Sequence, residues 1–443
     1  MGLDPRNPVQ SVVRLISGLG PISTRKVAGE RLVLVNGADL VAELNDETRF
    51  RKHTGLHILT LRRIVGDALF TAETHEPNWR LAHDILLPAF TREAMQTYHA
   101  TMLAVARELL NRWDDAAASG RAVDVTSDMT RMTLETIGRA GFGYSFESFG
   151  DDDSHPFVTA MNRSLRYANF PPSPALAPVR RLVAGSTRRY QASVSLLERT
   201  VDDVIAARRR GVSPQTPDLL DRMLHTAHPA TGEHLDPINI RRQIITFVVA
   251  GHETTSGLLS FALYYLSAHP YTMLKAQAEV DGLWAGATNP EPAFADIPKL
   301  RYVRAVVDET LRLWPTAPAY LRAARRKTTL GGRYTMNEGD WVVVLLPALH
   351  RDPEAWPNPE RFDPDRFGPG RAKTRHPHAY KPFGTGERAC IGRQFALHEA
   401  VLTLALLLHR YDLAQNQGYR LRVAESLTLK PAGFRLRPRR RRH

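Results

Sequence analysis

KPFGTGERACIG, residues Lys381 to Gly392, holds the only cysteine of a 443-residue chain and sets it among three glycines beside an arginine. One cysteine forms no intramolecular disulfide, which fits a reducing compartment. The common fate of a lone cysteine is a small, inert, buried hydrophobe. This one differs in its surroundings: Gly384, Gly386 and Gly392 let backbone close on the sulfur, and Arg388 lies two residues away. By letter, GTGERA also matches the dinucleotide-binding GxGxxA. That fingerprint needs a hydrophobic strand before it and a βαβ frame around it; HAYKPF is a poor strand, so a nicotinamide dehydrogenase survives only as a remote alternative.

Outward from this stretch, apolar residues recur at helical spacing near 97–118, 126–140, 156–169, 184–210, 238–268, 271–284 and 299–313. Short β-like runs stand at Arg31 to Val35 and Trp341 to Pro347. A mainly helical protein with small sheets is expected, as one domain over residues 1–443. The helix from 238 is the best marked, with Asp236 as N-cap, Pro237 in the first position and Pro270 just past its end. It is apolar on nearly every face, which predicts a buried central rod. Within it lies AGHETTSG, Ala250 to Gly257, whose polar groups must be satisfied or have a task. His252-Glu253 and His398-Glu399 each lack the second histidine of HExxH, having Ser256 and Leu402 in its place, which excludes that zinc hydrolase motif. FPPSPALAP, Phe170 to Pro178, cannot continue a helix and reads as a loop or a lid.

The composition, 43 % hydrophobic and 24 % charged, is that of a globular chain with a large core. No apolar run approaches the roughly 20 residues that span a bilayer, and the N-terminus has no signal-peptide core, so a soluble cytoplasmic protein is expected. A net charge of +13 raises nucleic acid as a partner. The arginines of 435–442 read instead as a flexible basic tail, and no zinc-ligand set or RNA-binding aromatic motif accompanies them.

A thiolate is a soft, strong iron donor, and as an axial haem ligand it favours O–O cleavage. Here the whole pattern FxxGxRxCxG, Phe383 to Gly392, is present: Arg388 can pair with an anionic haem edge and Phe383 can shield the sulfur. At this point the sequence resembles the cytochrome P450 superfamily. Its further signatures follow in order: Glu309 and Arg312 as ExxR, Arg366 in PDRF, and AGHETT as the oxygen-activating segment of the central helix. The resemblance is closest to the haem domain of bacterial self-sufficient fatty-acid hydroxylases, through LFTAETHEPNW, QIITFVVAGHETTSGLLSFALYYL and KPFGTGERACIGRQFALHEA.

The resemblance implies the P450 fold, haem b ligated by Cys390, O2 as co-substrate, and proton delivery by Glu253 and Thr254. It implies haem contacts from Phe383, Gly384, Gly392, Arg388, Trp79 and His75, a substrate pocket touched by Phe70, Ala250, Ala317 and Ala319, and a structural network of Glu309, Arg312 and Arg366. The reaction expected is hydroxylation or epoxidation of a lipophilic substrate, with peroxide-driven or non-oxygenating haem chemistry as the alternative. No flavin or NADPH segment follows, so electrons are expected from a separate ferredoxin or flavodoxin and its reductase, drawn to the basic surface. In the fatty-acid hydroxylases an arginine and a tyrosine hold the substrate carboxylate; the matching positions are Glu30 and Leu34. A carboxylate there repels a fatty-acid anion by about 1 kcal/mol or more. An uncharged or cationic lipophile, such as a natural-product scaffold, is therefore expected.

Overall fold

A computed structural model describes residues 4, 7–16, 19–27, 30–150, 155–169, 180–211, 217–415 and 418–442. The proline-rich segment 170–178 and the Glu30 side chain lie outside the described residues. The expected helices are present as Arg92–Ala118, Val125–Phe142, Pro156–Asn169, Arg180–Arg209, Pro237–Ala268, Pro270–Leu283 and Arg301–Leu313. Asp236 caps the central helix as expected: its carboxylate accepts the backbone N–H groups of Ile238 and Asn239, each at 2.9 Å. Sequence periodicity misses the helix Arg393–Arg410, which follows the cysteine. Every residue from Leu397 to His409 in it is buried, so it has no polar face to mark its period.

The chain divides into two compact units whose segments alternate along the sequence: 1–53, 106–130 and 254–443 in one, 54–105 and 131–253 in the other. Such interleaving leaves no linker or shift of composition at a boundary, which is why a single domain is what the sequence suggests.

The first unit holds a five-stranded sheet in the order Ile22–Val27, Glu30–Val35, Trp341–Leu345, Ala319–Ala324, Phe50–Lys52. Glu30–Val35 pairs parallel with Trp341–Leu345, Leu34 opposite Val343, and the other pairs are antiparallel. One sheet face packs Val33, Val35, Phe50, Val342 and Val344 into a core with Leu40 and Leu44. Opposite-facing Leu34 is 1 % exposed and packs with Val343 and Leu345.

The expected flexible tail is corrected. Arg435–Arg440 is the middle strand of a three-stranded sheet, between Val123–Asp124 and Tyr411–Gln415. The run RLRPRR alternates: Leu436 and Pro438 are buried and the arginines between them face out. Arg441 then pairs with Asp281 at 2.7 Å. Counting arginines hides a period of two. Among the described residues no helix is long and apolar enough to cross a membrane.

Candidate functional site

In the first unit, the cysteine loop is a pair of turns. Gly384 N–H donates to Lys381 O at 3.0 Å, and Cys390 N–H donates to Phe383 O at 2.8 Å, which sets Phe383 beside the cysteine. Gly384 and Gly386 hold φ of +67° and +68°, a region costly to side chains. Gly386 is doubly constrained, because a Cβ there would collide with the Glu47 carboxylate. That carboxylate accepts the Glu387 N–H at 3.0 Å and so caps the short Gly386–Arg388 turn. Cys390 stands just before the Arg393–Arg410 helix, whose N-terminal end favours negative charge. Surrounding protein pushes the Cys390 thiol up, opposed by the Gly392 N–H and the Arg393 charge. The residue as a whole is nonetheless exposed, while its thiol is desolvated by the protein around it. Arg388 and Phe383 are half-buried in the same loop.

Behind the loop, the Arg301–Leu313 helix turns Glu309 and Arg312 onto one face. Arg312 donates from Nε and Nη2 to the two Glu309 oxygens at 2.7 and 2.8 Å, and from Nη1 to the carbonyls of Pro359 and His350 at 2.7 and 2.9 Å. Arg366 Nε lies 3.5 Å from Glu309, and the Asp363 N–H donates to the same carboxylate at 2.9 Å. Both the Glu309 and Arg312 side chains are fully buried. Burial pushes the Glu309 carboxyl up against the pull of Arg312. The network reaches the cysteine loop through His350, which sequence reasoning misses. His350 Nε2 accepts the Lys381 N–H at 3.0 Å, and burial, with Arg312 beside it, lowers its pKa to about 3. The ring is a neutral acceptor fixed under the first residue of the loop. Neither Glu47 nor His350 sits in a motif, so only the fold reveals them.

Along the central helix, Ala250 is exposed and Thr254 half-buried, while Val249, His252, Glu253 and Thr255 are buried. At a spacing of four, Ala250 and Thr254 lie on one side of the helix, one turn apart, in its mostly buried middle. In the second unit, the His252 Nδ1–H donates to Val248 O at 2.6 Å, and His252 Nε2 lies 3.2 Å from a Glu253 oxygen. Thr133 donates to His252 O at 3.0 Å from the Val125–Phe142 helix. Also in this unit, Trp79 is buried on the helix Pro77–Leu86, stacked on His83 at 5.1 Å with Arg80 above it at 4.6 Å. His75 and Phe70 are exposed in the segment before that helix. Ala317 is exposed and Ala319 half-buried at the start of strand Ala319–Ala324 in the first unit. The structure thus brings together Phe383, Gly384, Arg388, Cys390 and Gly392 in one loop, and Glu309, Arg312 and Arg366 in one network.

A lone exposed cysteine just before a helix N-terminus, in a loop turned by two glycines at positive φ, suits a thiolate ligand to a metal carried within a bound group. Among the described residues no three His, Cys, Asp or Glu side chains gather to hold an ion.

Comparison with known proteins agrees. The family model described as "Cytochrome P450" matches residues 2–437. The chain is 45 % identical over 437 residues to a bifunctional cytochrome P450/NADPH–P450 reductase of Bacillus cereus, covering 98 % of this chain and 40 % of that protein. It is 46 % identical to a second such reductase fusion, of Bacillus subtilis, covering 96 % and 40 %, and 39 % identical to a self-sufficient cytochrome P450 monooxygenase (CYP505E1) of Aspergillus niger, covering 98 % and 40 %. The crystal structure of a cytochrome P450 (CYP102L1) superposes with a TM-score of 0.93 at 44 % identity, covering 99 % of this chain and 96 % of that one. The chain spans about 40 % of the length of the curated relatives it matches. Those names also correct the expectation of a separate ferredoxin or flavodoxin. The relatives are fusions or self-sufficient enzymes, and a positive net charge is no guide to how electrons are delivered.

Proposed function

The chain belongs to the cytochrome P450 family, and from that premise we propose that it inserts one oxygen atom of O2 into a C–H or C=C bond of an uncharged or cationic lipophilic substrate. Haem-thiolate chemistry and O2 as co-substrate come with the family. The observation that carries the reading is Cys390, the chain's one cysteine, an exposed residue at the head of a helix, in a loop braced through His350 by the Glu309–Arg312 pair.

When bound, the haem supplies O2 reduction and the oxygen transfer. Cys390 holds the iron; the Gly392 N–H and the Arg393–Arg410 helix end stabilise its negative charge. Arg388, Trp79 and His75 hold the propionate edge, and Phe383 shields the sulfur. Thr254 holds a water, and Glu253, one residue before it, passes it protons from the protein side. Phe70, Ala250, Ala317 and Ala319 meet the substrate. The electron donor is an NADPH–P450 reductase module of the kind those bacterial relatives carry.

The substrate's lack of negative charge rests on the first small sheet. At one of the two positions that hold a carboxylate in fatty-acid hydroxylases stands Leu34, 1 % exposed in an apolar cluster, where it offers no hydrogen bond. The other is Glu30. Turnover under 18O2 tests the reaction: one labelled atom per product molecule is expected, and product carrying only water-derived oxygen overturns the reading.

A further inference from the structure

The segment GDALFTA, Gly66 to Ala72, is pinned at the residues just before Phe70. Within it, Thr71 Oγ1 donates to Gly66 O at 2.6 Å, and the N–H groups of Thr71 and Ala72 both donate to Ala68 O at 2.9 Å. Ala68, Thr71 and Ala72 are fully buried, whereas the Phe70 ring is 43 % exposed. The central helix grips this turn from outside. Arg242 Nη1 donates to Asp67 Oδ1 at 2.9 Å, and Asn78 Nδ2 donates to the other Asp67 oxygen at 2.6 Å. Gln243 Oε1 accepts the Leu69 N–H at 3.1 Å, while its Nε2 donates to Asn239 one helical turn earlier at 3.0 Å. Gln243 is 0 % exposed and Asn239 1 %. Gly66, at φ +54°, lies directly under the Arg242 guanidinium, where any Cβ would collide with it. All these groups belong to the second unit.

We propose that Arg242 and Gln243 are positioning residues that set specificity: by fixing Asp67 and the Leu69 N–H, they fix the Phe70 ring and hence which substrate carbon is oxidised. The inference rests on the reading of Phe70 as a substrate contact. A free turn samples many backbone states, and ordering it costs conformational entropy. Anchors on both sides of Ala68 remove that freedom where it matters, at the peptide leading into Phe70. A ring so held presents one face to an apolar chain.

The test uses the haem-loaded chain with methyl laurate as substrate and hydrogen peroxide as oxidant, so that no reductase enters the comparison. Two readouts are followed: the ratio of hydroxylated positional isomers, and hydrogen exchange of the Leu69–Ala72 amides. Arg242→Gln and Gln243→Leu are expected to speed exchange about fivefold and to move the isomer ratio at least twofold toward that of Phe70→Ala. Asp67→Asn breaks the same ion pair from its other end and gives the same result. Arg242→Lys restores both readouts. Arg241→Gln removes a comparable pair, with Asp202 at 2.7 Å, away from the turn and leaves both unchanged. An unchanged isomer ratio in the Arg242 and Gln243 variants, with Phe70→Ala shifting it, overturns the proposal alone, as does unaltered exchange. If Phe70→Ala leaves the ratio unchanged, the reading of Phe70 fails and takes the proposal with it.

Discussion

At the scale of single residues, the central helix offers two adjacent groups suited to moving protons, a buried Glu253 and a half-buried Thr254. Positioned acid–base groups contribute about 100- to 10,000-fold. Thr254→Ala is therefore expected to lower product formation by about tenfold or more while electron consumption continues, the difference leaving as hydrogen peroxide. Parallel assays of NADPH, product and peroxide check it. His350 gives a prediction in pH. In the folded protein its ring stays neutral until pH falls to about 3, whereas unfolded it takes up a proton near 6.5. The group's contribution is thus fully present above 6.5 and is lost as pH falls toward 3, at about 1.4 kcal/mol per unit. Denaturant unfolding from pH 7 to pH 4 should show a steeper loss in the parent than in His350→Gln. Equal slopes would remove His350 from the account. These single residues divide sharply in legibility. Cys390, Glu309, Arg312 and Arg366 lie in spaced motifs and are readable from sequence; Glu47 and His350 act from isolated positions that only folding brings to the cysteine loop.

At the scale of elements, the fully buried Glu309–Arg312 pair holds the Arg301–Leu313 helix to the segments at His350 and Pro359. Removing one partner of such a pair leaves an uncompensated buried charge, at about 3–5 kcal/mol. Arg312→Leu should lower the unfolding free energy from denaturant titration by that measure, and Arg312→Lys should recover only part of it, since an ammonium cannot make the bidentate contact. A loss below 1 kcal/mol would contradict the assignment. The long amphipathic helices are legible because one face is polar. The Arg393–Arg410 helix is not, because burial on all sides erases the period, and strand Arg435–Arg440 is masked by its own arginines. Truncation before Arg435 should destabilise the chain, since it removes the middle strand of a sheet and the Arg441–Asp281 pair. A thermal midpoint unchanged by that truncation would restore the flexible tail.

At the scale of the whole molecule, the family is readable from four motifs because they stand in the family's order along 443 residues, each with its own fixed internal spacing. Substrate and electron source are not readable in that way. The first depends on a few side chains whose neighbours are set by the fold; for the second no motif of this chain speaks, and the names of relatives of whose length it spans about 40 % supply only the proposal made above. A substrate without negative charge predicts that methyl laurate shifts the haem Soret band at lower concentration than laurate does, by about fivefold for 1 kcal/mol of repulsion. Tighter binding of the acid would contradict it. The most direct test of the central claim, iron held by the Cys390 thiolate, is the absorption spectrum of the dithionite-reduced protein with carbon monoxide, recorded for the parent and for Cys390→Ser. The parent should show the long-wavelength Soret band that gives the family its name and Cys390→Ser should lose it; a band that the variant retains would mean that the iron is not held by Cys390.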